Sequence, residues 1–147
     1  MSKKLNNMVV LTIIGIILLL CSLPTIWFEV RDGVNLEVLG LRVSTGALLS
    51  VEITGLRGTL DVGTKIPLWL IVAIGGVGLG LLFLRQSRIA DLPLLAPMVP
   101  WALSVALTAY ALITALGMEG TTLGIGIFLA GAGLAVGGLG LFSPSRR

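Results

Sequence analysis

Residues 66–84 read IPLWLIVAIGGVGLGLLFL, a stretch without a single Asp, Glu, Lys or Arg. A helix needs about 20 apolar residues to cross a hydrocarbon core, so this run is long enough. Pro67 suits a first helical turn, Trp69 beside it suits a membrane interface, and Arg85 marks the far end. Three more uncharged runs cover 5–28, 92–118 and 120–145. Only residues 29–65 remain as a polar segment large enough to fold.

The whole composition agrees with that reading. Of 147 residues, 56% are hydrophobic and 12% charged, and the mean hydropathy is +1.07. Soluble domains carry about 25% charged residues. The sequence therefore predicts a single integral membrane domain over 1–147: an all-α four-helix bundle with a small extracytoplasmic antiparallel β segment between helices 1 and 2. The expected spans are 8–28, 67–84, 97–117 and 121–142. In the first, Trp27-Phe28 is expected at the interface; in the third, a regular helix is expected to begin near Pro97 or Pro100. The basic start and apolar middle of the first span also fit a signal peptide. Ala, which cleavage sites favour, is absent from the first 46 residues, and Leu20 precedes Cys21 where a lipoprotein box needs a small residue. An uncleaved signal anchor is expected.

The few charges orient the chain. Lys3, Lys4, Arg85, Arg88, Arg146 and Arg147 stand against Asp91 on one side. The other side holds Arg31, Arg42, Arg57 and Lys65 against Glu29, Asp32, Glu37, Glu52, Asp61 and Glu119. Basic loops stay on the cytoplasmic side, so both termini are expected in the cytoplasm, with 29–65 outside a plasma (inner) membrane. This placement of the basic residues beside apolar runs also accounts for the net charge of +3 without a nucleic-acid partner.

Within 29–65, LEVLGLR at 36–42 recurs as VEITGLR at 51–57. Alternation followed by a Gly-containing pair is a hairpin signal, with turns at Leu39-Gly40 and Thr54-Gly55. Such hairpins set Glu37 opposite Arg42 and Glu52 opposite Arg57, as cross-strand ion pairs rather than as a paired-carboxylate catalytic or cation site. Further turn signals at Asp32-Gly33, Thr45-Gly46 and Val62-Gly63 divide the segment into about four short strands.

Glycines concentrate in the second and fourth spans. Gly76-x-x-x-Gly80 and Gly133-x-x-x-Gly137 match the spacing that lets helix backbones approach closely, within one chain or between chains. In the third span Ser104 with Thr108, and Tyr110 with Thr114, lie four apart; each pair either lines a narrow polar path or bonds to nearby backbone. No Asp, Glu, His, Lys or Arg falls inside a span, which disfavours ion-coupled transport. With no His and one Cys, there is no Cys/His metal site, disulfide or recognisable catalytic set. No cofactor and no enzymatic activity are expected. The partners expected are the lipid bilayer and either a second copy or another membrane protein, giving an assembly or accessory subunit; the alternative is a small oligomeric transporter or pore.

One span, a β-rich outer segment and three further spans with both ends inside: this layout resembles the claudin-like tetraspan proteins, and small bacterial four-span proteins as well. Of the claudin W…G-L-W-x-C-C…C signature, Trp27 and Gly40-Leu41 are present, Arg42 follows them, and the outer cysteines are absent. The resemblance implies a layout, and no site residue is carried over from it.

Overall fold

The computed structural model describes residues 3–30, 51–61, 63–118 and 120–142. Its elements run α1 (Lys3–Cys21), β1 (Ile26–Val30), β2 (Val51–Thr54), β3 (Thr59–Asp61), β4 (Lys65–Pro67), α2 (Leu68–Gln86), α3 (Leu95–Leu116), β5 (Thr121–Leu123) and α4 (Ile125–Gly138), with a closing 3-10 turn at Leu139–Leu141. Four helices thus carry two small antiparallel sheets, β2-β1-β5 and β3-β4. By length and composition, α2 and α3 are able to cross a membrane, with mean hydropathies of 2.1 and 1.7. The apolar stretches Asn7–Cys21 and Ile125–Leu141 are shorter.

The first predicted span is corrected at its end. α1 stops at Cys21, well before Phe28. The Ser22 hydroxyl donates to the Leu19 carbonyl at 2.6 Å, and Pro24 disfavours helical geometry at the residue before it. Trp27 and Phe28 consequently belong to a strand and are fully buried, at 0% and 1% exposure. Alternation along a strand would expose one of them. The register between β1 and β2 slips between Ile26 and Phe28, a bulge centred on Trp27, and both rings stay in the core.

The other boundaries move less. α3 starts at Leu95 and takes Pro97 into its first turn, where backbone N–H groups lack intrahelical partners anyway. Pro100 lies inside the helix. The predicted span 121–142 divides into a strand, β5, followed by α4 and the 3-10 turn, because Thr121–Leu123 pairs with Phe28–Val30. Gly124 makes this junction possible: a Cβ there would collide with the Ile26 carbonyl.

The second hairpin prediction fails for a related reason. β2 pairs with β1, and Glu52 stands across from Glu29 rather than Arg57. The residues after β2 form a tight turn in which the N–H groups of Arg57 and Gly58 donate to the Thr54 carbonyl at 3.2 and 2.9 Å. Pairing with β1 lets Ile53 join Phe28 in the core, at 1% exposure each; a local hairpin offers no such cover. The Val62-Gly63 signal does mark the β3–β4 connection, where Asp61 is opposite Lys65 and Gly63 has φ of 84°. The first repeat, with Glu37 and Arg42, lies outside the described residues.

The core runs from Trp27, Phe28, Ile53 and Leu60 in the strands to Leu19, Ile71, Leu79, Ala130 and Leu134 in the helices. The sheets therefore pack onto one end of the helices. At the opposite end α1, α2 and α4 meet, and the Thr12 hydroxyl donates to Gln86 Oε1 at 2.9 Å.

Candidate functional site

The predicted packing glycines divide into two groups. Added Cβ atoms show which of them face a neighbour. At Gly133 a Cβ would lie 2.7 Å from the Gly15 carbonyl oxygen and 2.8 Å from the Leu19 amide nitrogen. At Gly137 it would lie 2.8 Å from the Leu79 side chain. At Gly76 and Gly80 it would meet nothing within 4 Å. On α2 the buried glycines are instead Gly75, against Ser104 and Leu134, and Gly78, against the Trp101 backbone. A GxxxG spacing fixes the distance between two small residues but leaves the face they point to undetermined.

Gly15 escaped the sequence reading. It is an isolated glycine in a run of Ile and Leu, yet a Cβ on it would sit 2.5 Å from the Gly137 Cα and 2.6 Å from the Gly133 carbonyl oxygen. The two helices cross there backbone to backbone. Trp27, expected at the interface, is a fully buried core residue instead. Its indole N–H donates to the Ser22 carbonyl at 2.8 Å, and Gly55 and Gly126 leave room for its ring.

The four hydroxyls of the predicted polar path do not converge. Ser104 donates to the Ile71 carbonyl, Thr108 to the Ser104 carbonyl and Thr114 to the Tyr110 carbonyl, each at 2.8 Å. Ser104 and Thr108 are buried, whereas Tyr110 is 43% exposed on another side of α3. These residues stitch α3 to its own backbone and to α2.

Beside Thr108, α3 and α4 part to leave an open groove of about 410 Å³. Trp101, Val105 and Leu112 form one wall; Phe128, Gly131 and Ala135 form the other. Its one hydroxyl, that of Thr108, already has its acceptor. The groove suits an aliphatic chain or the side of a helix and offers no acid, base or nucleophile. Among the described residues, no three of His, Cys, Asp and Glu come together as metal ligands.

Comparison with family models, curated proteins and solved structures returns no match. The functional reading therefore rests on geometry and composition.

On the sheet side, Glu52, Glu29 and Thr122 form one cross-strand row. Glu52 and Thr122 are exposed and Glu29 is half-buried. The row faces away from the core row of Ile53, Phe28 and Leu123, as the two-residue period of a strand requires.

Proposed function

We propose that the chain is a non-enzymatic integral membrane protein of a plasma (inner) membrane, serving as an assembly or accessory subunit. All four helices stand in the bilayer, both termini face the cytoplasm, and the sheets lie on the outer face. The observation that carries this reading is the apolar exterior. Ile17 on α1, Val77 on α2, Ile113 on α3 and Phe128 on α4 are each more than half exposed. Large apolar side chains exposed on all four helices are unfavourable in water and ordinary in lipid. At 1.5 Å per residue, α2 is about 28 Å long and α3 about 33 Å, close to the hydrocarbon thickness of about 30 Å. α1 and α4 are shorter in their apolar parts and share the layer by packing on each other through Gly15, Gly133 and Gly137.

The assembly role draws on the glycine asymmetry. Gly133 and Gly137 are used inside the chain, while Gly76 and Gly80 keep a flat face of α2 open. The α3–α4 groove is a second uncovered concavity. Both suit contact with a helix from a second copy or from another membrane protein. The likeness to claudin-like tetraspan proteins is one of layout alone. A transporter or pore has less support, because the Ser104 and Thr108 hydroxyls are committed to carbonyls within the bundle.

Chemical crosslinking in native membranes tests the assembly reading. A defined species larger than the monomer is expected, and Gly76→Leu combined with Gly80→Leu is expected to abolish it without lowering the thermal midpoint. A monomer at native expression levels, or a complex indifferent to both substitutions, contradicts the reading.

A further inference from the structure

Among the described residues, one non-glycine position has a positive φ: Arg88, at 55°. It closes α2. The Ser87 N–H donates to the Phe83 carbonyl at 2.9 Å, and the Ile89 N–H reaches back to the Leu84 carbonyl at 3.1 Å. A left-handed residue followed by such a five-residue return bond is the helix stop that glycine usually supplies. Glycine adopts that conformation freely, whereas a side chain with a Cβ is strained in it. In a chain with 20 glycines, this position holds arginine.

The surroundings give that arginine a use. Arg85 lies one helical turn earlier and is partly buried, while Arg88 is exposed. Ile89 is 68% exposed, and Leu94 and Leu95 at the start of α3 are 41% and 63% exposed. Asp91, also exposed, is the acid in this loop. Two guanidinium groups against one carboxylate leave the loop net positive beside a set of uncovered aliphatic side chains. The loop lies at the end of the helices away from the sheets.

We propose that Arg85, Arg88 and Ile89 form a binding surface for anionic phospholipid headgroups of the cytoplasmic leaflet. The guanidinium forks match phosphate oxygens. The excess positive charge favours anionic over zwitterionic lipid. Ile89 seats at the boundary between headgroups and acyl chains, where an exposed aliphatic residue is favourable. This surface rests on the bilayer reading above.

The strained backbone makes the test selective. The full chain is incorporated into nanodiscs of phosphatidylcholine, with or without phosphatidylglycerol, and the thermal midpoint and the retained lipid are measured. The native protein is expected to retain phosphatidylglycerol preferentially and to gain a higher midpoint from it. Arg88→Gly is expected to raise the midpoint in phosphatidylcholine, because it relieves the positive φ. The same variant is expected to lower the preference for phosphatidylglycerol roughly fivefold, the effect of one surface arginine. Arg88→Lys is expected to keep most of the preference, and excess inorganic phosphate to leave the midpoint of the native protein unchanged. An undiminished preference in Arg88→Gly combined with Arg85→Gln overturns the proposal, as does a midpoint gain reproduced by inorganic phosphate. Failure of the native chain to enter discs of either composition overturns the bilayer reading itself, and the lipid surface with it.

Discussion

Gly15→Ala is expected to destabilise the protein by about 1–3 kcal/mol, although alanine is the better helix former. The added methyl group would lie 2.5 Å from the Gly137 Cα and 2.6 Å from the Gly133 carbonyl oxygen. Both obstacles are backbone atoms of α4, so no side chain is able to rotate aside; the helices must separate or shift along each other. Gly76→Ala is the matched control. It brings the same gain in helix propensity and meets nothing within 4 Å. Its expected effect is neutral or a gain of up to about 1 kcal/mol. Reversible unfolding in a detergent or bicelle titration measures the difference between the two variants, in which propensity cancels and the helix contact remains. Equal midpoints would contradict the α1–α4 crossing.

Trp27→Ala carries the other large effect, about 3–5 kcal/mol, the usual cost of truncating a buried aromatic residue. The ring is fully buried, meets Phe28 edge-on at 6.4 Å between centroids, and donates to the Ser22 carbonyl. Because β1 is the central strand of the larger sheet, both β2 and β5 depend on its seating. Limited proteolysis is expected to open the sheet end of Trp27→Ala while α2 and α3 stay protected. Trp27→Phe keeps most of the volume and loses the hydrogen bond, and an intermediate loss of about 1 kcal/mol is expected. If Trp27→Ala unfolds at the same denaturant concentration as the native chain, the indole is not the pin between sheet and helices.

Helix bounds were legible for the two uncharged runs entered through proline, those of α2 and α3. α2 lies within one or two residues of the predicted 67–84, and α3 within two residues of 97–117. What stayed hidden depended on contacts distant in sequence. An apolar run does not show where helix gives way to strand, and treating residues 26–28 as the end of a helix left β2 with only its local neighbours as partners. Pro24 was the available signal for that break. Thr121–Leu123 becomes a strand because β1 passes beside it. Among the glycines, α2 uses Gly75 and Gly78 for packing, one and two positions away from the Gly76 and Gly80 pair picked by motif. One residue turns a helix by about 100°, so a motif match offset by a single position points to a different neighbour. The commitment of Ser104 and Thr108 to particular carbonyls was not readable from their spacing.

The central claim is that the helices cross a bilayer with the sheets on one side and the α2–α3 loop on the other. Single cysteines in a Cys21→Ser background, probed with a membrane-impermeant maleimide, test it most directly. Thr64→Cys and Thr122→Cys sit at exposed positions in the two sheet regions, and Asp91→Cys sits in the exposed α2–α3 loop. In intact cells the first two are predicted to label fully, and Asp91→Cys only after permeabilisation. Labelling of Asp91→Cys in intact cells to the same extent as Thr64→Cys would contradict the account.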